Sequence, residues 1–501
     1  MVRSGVLALI TIISVTCLCH GSAAASLPKA MVRSAVKLSA NVDPAGSKGA
    51  VDLKYDTDDD DFVAALPDGW SDCVEVLEGD LERVGLGIPD TALRAVTHLV
   101  HSAASIEFNL PVRDALTANV HATLNLLEAA RRSRVLERFV YVSTAYVTPH
   151  PGNRVPIPER LVALPMEAER MFRALDSGAM REDVAMAKTG HPNTYTLTKC
   201  LAEHLLVRRV GEVPLSIVRP SIISAARALP FPGWIDSTAG FGAFAALVGS
   251  GHLRAVVGEP EAQIDVVPVD DVVARVIAAA REHRGAPRIV HAVSGRAAAL
   301  TIGESWEIVQ EWFRRHPIAR RPQRGFIGSS RLGFRLADLW HHRLPLAIGA
   351  LRTPALKRRV SKLLAKLEYL NTVFPYFTTR TFDFQTSAPL PAGVLGAPYL
   401  RTICRGLYRH VLNHDDHEWV LGGAARSGYD GDLRWTLGQP HGNAWIRAGS
   451  FLVTKVLRRT TERVTVDLPS LERARAQVPE GAAIVLVPSH RSYLDFVLCS
   501  Y

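Results

Sequence analysis

Apolar positions divide the chain into segments of different period. From Cys73 onward, short apolar runs alternate with stretches whose apolar residues recur at helical spacing. Residues 74–80 read as a strand ending at Gly79-Asp80, and 93–96 lead into a strand at His98–His101. Over 115–132, Leu116, Val120, Leu124 and Leu127 fall on one helical face, with Asn119 beside them. A β-rich run follows at 139–142, a helix at 195–210 and a strand at 215–218. Strands alternating with helices imply a parallel sheet with right-handed crossovers. The pattern therefore predicts an α/β fold, a Rossmann-like doubly wound parallel sheet, followed by a smaller, mostly helical C-terminal domain.

The flanking segments differ. An apolar run from Gly5 to Cys19, followed by small residues at Ala23 to Ala25, reads as a secretory signal peptide or short anchor. It is shorter than a bilayer-spanning helix requires. Residues 26–72 carry little periodicity and hold the acidic run 58–61, which reads as a solvated linker. Farther on, 356–367 place Val360, Leu363, Leu364 and Leu367 on one face, with Lys357, Arg358, Arg359, Lys362 and Lys366 mostly elsewhere. That is a basic amphipathic helix, read as an ordinary surface helix ahead of a membrane-contacting one. The apolar stretch 482–501 stops abruptly, which reads as a domain cut short.

Composition narrows the class. The 501 residues are 48% hydrophobic and 21% charged, the balance of a globular chain of two or three domains. The net charge of +9 suits an anionic partner such as CoA, NADPH or an acidic headgroup; nucleic acid has no motif behind it and is not expected. The six scattered cysteines form no metal-site spacing and no disulfide framework. His410, His414 and His417 lie at helical spacing and read as a solvated polar segment rather than a metal site.

Candidate chemistry centres on Tyr195-Thr-Leu-Thr-Lys199. Spacing of four puts the phenol and the amine one helical turn apart. An ammonium nearby favours the phenolate and brings tyrosine toward a useful pKa, so that it can protonate an alkoxide formed by hydride addition to a carbonyl. Upstream, 139–142 run into Ser143 and Thr144, hydroxyls at a strand carboxyl end, where open parallel sheets bind ligands.

These features sit within an ordered series: Gly79-Asp80-Leu81, His101-Ser-Ala-Ala-Ser-Ile-Glu-Phe108, Asn119, Tyr141-Val-Ser-Thr-Ala-Tyr146, Tyr195-Thr-Leu-Thr-Lys199, Val218-Arg-Pro-Ser-Ile-Ile223, Pro232-Gly-Trp-Ile-Asp236, Asp265-Val-Val-Pro-Val-Asp-Asp271 and Phe377-Thr-Thr-Arg-Thr-Phe382. The series resembles the fatty acyl-CoA reductases of the extended short-chain dehydrogenase class, the male-sterility type. The resemblance implies NADPH-dependent reduction of long-chain acyl-CoA, through an aldehyde, to a primary alcohol. It implies Tyr195 as the catalytic acid, Lys199 as its partner and ribose contact, Thr144 with Ser143 as carbonyl-binding hydroxyls, and Asn119 in a proton relay. Asp80 and Leu81 would border the adenine, Ala103 and Ala104 the cofactor backbone, and Pro220, Ser221, Ile222 and Ile223 the nicotinamide. The implied enzyme is membrane-associated, with its site facing the cytosol at the endoplasmic reticulum or peroxisome. The family's strand and GxxGFxG loop, which grip the pyrophosphate, have no counterpart before Asp80, so the N-terminal unit is missing or atypical. A lost first strand would expose backbone groups of the sheet, so a misassembled start is favoured over lost cofactor binding.

At the other end, Val487-Pro-Ser-His490-Arg-Ser-Tyr-Leu-Asp495 resembles the first motif of the glycerol-3-phosphate and dihydroxyacetone-phosphate acyltransferases, with His490 as base and Asp495 orienting it. The expected organisation is then 1–25 signal-like or anchor, 26–72 linker, 73–295 NAD(P)-binding reductase domain, 296–400 substrate domain, 401–455 connector, and 456–501 the start of an acyltransferase. The alternative function is a glycerolipid O-acyltransferase whose reductase-like region only binds acyl chains or membrane.

Overall fold

The computed structural model describes residues 7–13, 36–39, 77 and 79–414, apart from short interruptions at 238, 283–284, 319–321, 323–324, 347–356, 391–394 and 413. The chain divides into two compact units, Met1–Asn413 and His414–Tyr501. Of the second, only His414 is among the described residues, so the acyltransferase-like His490 and Asp495 lie outside them.

A six-stranded sheet forms the centre of the first unit. Its strands are β1 (Leu7–Ile13), β2 (Val36–Ser39), β3 (His98–His101), β4 (Arg138–Val142), β5 (Leu215–Pro220) and β6 (Arg288–Ala292), in the order β6-β5-β4-β3-β1-β2. From β6 to β3 every pairing is parallel, with Val140 opposite Val100 and Ser216, and Val290 opposite Val218. Successive side chains on a strand face opposite ways, and both faces are covered. Leu99, Phe139, Tyr141, Leu215 and Ile217 pack into one core with helices α1 (112–130) and α2 (Thr194–Arg209). Val100, Val140, Val218 and Val290 pack into a second core with helix α3 (Val269–Ala280) through Val272 and Ala279. This double burial is what the near-continuous apolar runs of 98–101, 139–142 and 215–218 encode.

The N-terminal unit of the sheet is atypical. The sheet is not parallel throughout: β1 pairs antiparallel with β3, and β2 antiparallel with β1. The run Leu7–Ile13, rich in β-branched residues, adds to the β3 edge and satisfies backbone groups that a missing first strand would otherwise leave open. Of the strand expected at 74–80, residues 74–76 and 78 lie outside the described residues, and Gly79 and Asp80 lie in coil leading to turns.

Helix α1 is Val112–Leu116, a π turn at Thr117–His121, and Ala122–Ala130. Its predicted face, Leu116, Val120, Leu124 and Leu127, is buried. Helix α2 begins at Asn193, whose side-chain oxygen accepts from the Thr196 backbone N–H at 2.9 Å. Beyond β6 the chain is mostly helical, as expected, with α4 (Ile302–Arg315), α5 (Lys357–Val373) and α6 (Ala397–Gly406). α4 opens on a capping box between Thr301 and Glu304. Short strands tie this part to the rest: Phe326–Gly328 runs parallel to Ala255–Val257, and Asp383–Phe384 parallel to Pro156–Ile157. Among the described residues, no helix is long and apolar enough to cross a membrane.

Candidate active site

Because β3 to β6 are parallel, the residues that follow each of them gather on one edge of the sheet. These are Ser102 to Ala104 after β3, Ser143 and Thr144 after β4, Ser221 to Ile223 after β5, and Val293 and Ser294 after β6. Helix α2 presents a stripe to this edge at i, i+4 and i+8: Tyr195, Lys199 and Glu203.

Lys199 is buried at 2% exposure. Its Nζ donates to the Val142 carbonyl at 2.8 Å, the last residue of β4, and lies 4.4 Å over the Tyr141 ring. Burial lowers its pKa to about 7, against the pull of Glu203 one turn on. Tyr195 moves the other way. Burial pushes its hydroxyl up to about 12, opposed by a side-chain hydrogen bond with Thr144. The expectation that Lys199 draws Tyr195 toward the phenolate is therefore not met here. The ammonium is directed at Val142 and Tyr141, and desolvation decides the phenol's state. Tyr195 holds its proton, which is the form an acid needs.

Thr144 caps a short 3-10 turn, accepting from the Tyr146 N–H, and its Oγ1 donates to the Pro220 carbonyl at 3.4 Å. It thus links the ends of β4 and β5. Ser143 is buried, and its Oγ has no hydrogen-bond partner among the described residues. Asn119, in the π turn, accepts from the Ser105 N–H at 2.8 Å and donates to the Ser105 carbonyl and to Thr198 Oγ1 at 3.2 and 3.1 Å. It fixes the loop carrying Ala103 and Ala104 against the residue preceding Lys199. Ser221 donates to buried Asp265 at 2.5 Å, and Asp265 also accepts from the backbone N–H groups of Ser294 and Gly295 at 2.9 Å each. That one carboxylate ties the 220–223 segment to the residues after β6. Asp80 and Leu81 are placed differently: the Leu81 carbonyl accepts from Asn125 of α1 at 2.9 Å, and Asp80 accepts from the Glu82 N–H.

Several residues at the site escaped the sequence reading. Glu203 and Arg219 form a bidentate pair, 2.9 and 2.5 Å, with side chains 1% and 0% exposed. The signal was present: Arg219 stands in an apolar strand, where a buried charge demands a partner, and Glu203 extends the tyrosine–lysine spacing by four. His101 is fully buried, bonded to Thr123 at 2.9 Å, and desolvation, aided by the Lys199 charge, lowers it to about 3, so it is neutral. Phe108 lies 5.6 Å from the Tyr195 ring and 5.9 Å from Phe377. Tyr146 is edge-on to Phe377, Phe382 and Phe384 at 5.0, 5.1 and 5.4 Å, so the 377–384 segment packs beside the catalytic candidates.

These residues fit the nicotinamide-ribose end of a dinucleotide. The unpartnered Ser143 Oγ, the Lys199 ammonium and the small side chains after β3 offer donors and room for close approach. For the pyrophosphate, the described residues hold no glycine turn opening a helix next to β3, and β1 occupies that edge instead.

The chain matches, over residues 46–277, an NAD-binding domain family described as "Male sterility protein". It is 30% identical over 356 residues to "Fatty acyl-CoA reductase 1" of Xenopus laevis, covering 65% of this chain and 68% of that protein. It is 31% identical over 310 residues to "Fatty acyl-CoA reductase 2" of Homo sapiens, covering 59% of each. Among solved structures, the terminal R domain of the myxalamid PKS-NRPS pathway aligns with a TM-score of 0.47 at 19% identity, over 68% of this chain and 77% of that one. The chain spans about two thirds of the length of the Xenopus laevis protein. With a tyrosine, a buried lysine and paired hydroxyls at the carboxyl edge of an NAD(P)-binding sheet, this oxidoreductase belongs to the fatty acyl-CoA reductase family.

Proposed function

We propose that the chain reduces long-chain fatty acyl-CoA with NADPH, through the aldehyde, to a primary alcohol, as a membrane-associated enzyme facing the cytosol. The observation that carries this is the convergence of Tyr195, Thr144, Ser143 and Lys199 on one sheet edge. Bound NADPH supplies hydride, twice, because a thioester lies two reduction steps above an alcohol. Lys199 would hold the ribose end, and the 220–223 segment, fixed by Asp265, would flank the nicotinamide. Thr144 and Tyr195 converge on the carbonyl oxygen, where charge develops as the carbon is reduced. Tyr195, protonated at neutral pH, then gives its proton to the alkoxide oxygen. Asp80 and Leu81 border the adenine, and Asn119 supports the proton path beside Thr198.

The test follows NADPH oxidation with a long-chain acyl-CoA and identifies products by chromatography. The expected outcome is alcohol, with two NADPH consumed per thioester. Tyr195→Phe keeps the ring and removes the proton, and should lower the rate by about a hundred- to ten-thousand-fold. A rate within a few-fold of wild type would overturn the assignment of the acid. The His490–Asp495 motif favours an additional reading, in which the reductase is fused to an acyltransferase drawing on the same acyl-CoA pool. Transfer of a labelled acyl group to glycerol 3-phosphate or dihydroxyacetone phosphate by the protein, lost on His490→Ala, is its test.

A further inference from the structure

One helix carries its apolar side outward. It spans Arg331–Asp338 and continues through the π turn Leu339–Arg343. Leu332, Leu336, Leu339, Trp340 and Leu344 are 69%, 51%, 47%, 65% and 40% exposed, at steps of four, three, one and four along one face. Single exposed leucines are ordinary, but a contiguous stripe is not.

The rotation of the helix is fixed from within by polar contacts. His342 is buried, and its Nε2 accepts from the Arg254 backbone N–H at 2.9 Å. Its Nδ1 therefore carries the proton and donates to Asp338 Oδ1 at 2.8 Å. Ser330 caps the helix at the Gly333 N–H, and a side chain at Gly333 would meet the Phe326 ring at 3.0 Å. Turning the leucines inward would break the histidine contacts and drive the helix into that ring. The outward stripe is thus a property of the fold.

Charge identifies what the stripe meets. Along the helix itself, from Arg331 to Leu344, the sequence holds three arginines, Arg331, Arg335 and Arg343, and one acid, Asp338. Asp338 is itself bonded to His342 and to Arg343. All three arginines are exposed, so two copies of this helix would bring like charge against like charge. An anionic bilayer offers the reverse, acyl boundary for the leucines, an interface for the tryptophan and acidic headgroups for the arginines. We propose that the outward face of the 331–344 helix docks the enzyme onto an anionic phospholipid surface. This rests on the membrane association proposed above, and vesicle binding reads it apart from the reductase chemistry.

The experiment sediments the full chain with phosphatidylcholine vesicles, with and without phosphatidylserine. Wild type should bind the anionic vesicles preferentially. Leu336→Glu with Trp340→Glu should weaken that binding by about tenfold or more, whereas Trp340→Phe should retain it. Arg331→Gln and Arg335→Gln should each cost about fivefold on anionic vesicles, and less at high salt. All these side chains already face water, so the melting temperature and the reduction of a short, soluble acyl-CoA should match wild type. Wild-type vesicle binding by the double glutamate variant would overturn the proposal. So would a wild-type dimer in light scattering that the same variant makes monomeric, since the face would then belong to a second copy. Vesicle binding is read whether or not any variant reduces acyl-CoA.

Discussion

At the scale of single residues, the site is set by which groups lose water. Lys199 and Tyr195 stand on one helical face, as their spacing requires, yet burial drives their pKa values in opposite directions. The spacing was legible in the sequence; the desolvation was not, because it depends on strand ends contributed from far along the chain. A pH dependence follows. Lys199 has a folded pKa of about 7 against 10.5 for an unburied lysine. Between those values the unfolded chain holds a proton that the folded chain has released, so stability rises with pH across that window. Urea unfolding from pH 7 to 9 should show wild type gaining up to about 1.4 kcal/mol per pH unit relative to Lys199→Met. Parallel curves for the two proteins would mean that Lys199 stays charged in the fold.

At the scale of elements, periodicity found the helices and strands near the site but not their irregularities. The face of α1 was readable from its four leucine and valine positions. The π turn in its middle was not, since its side-chain partners, Ser105 and Thr198, come from a loop and another helix. The antiparallel β1 was likewise hidden, because an apolar run reads as an anchor as readily as a strand. Asn119 is 2% exposed and uses its amide to hold that loop. Asn119→Ala leaves the Ser105 N–H without its side-chain acceptor, and the expected loss is about 1–3 kcal/mol. Activity should fall with it, because Ala103 and Ala104 hang from the same loop. Thermal unfolding of the variant checks the first effect; an unchanged melting temperature would assign Asn119 to chemistry alone.

At the scale of the molecule, the stretches expected as separate reductase and substrate domains, 73–295 and 296–400, lie within one compact unit. An aromatic cluster joins them: Tyr146, two residues after Thr144, receives Phe377, Phe382 and Phe384. The resemblance located that phenylalanine motif, but its docking place required the fold. Phe377→Ala should cost about 3–5 kcal/mol by opening a cavity. It should also lower turnover more than Leu370→Ala, which trims a buried side chain elsewhere on the same C-terminal stretch. Denaturant midpoints and turnover for both variants decide this; equal effects on turnover would leave the cluster no special link to the site.

The buried Glu203–Arg219 pair has a consequence for how this protein can vary. Changing either residue alone strands the other's charge in the core, at a typical cost of 3–5 kcal/mol, while replacing both with apolar residues of similar volume is often neutral or better. Any route from the ionic to the apolar solution by single steps crosses a variant near the limit of foldability. In a library selected for folding, these two positions should be inherited together or exchanged together. The electrostatic support of Lys199, which rests on Glu203, would be lost in the exchange. A lineage that kept the fold but gave up the reaction would be free to make that exchange; one that kept the reaction would be held to the pair.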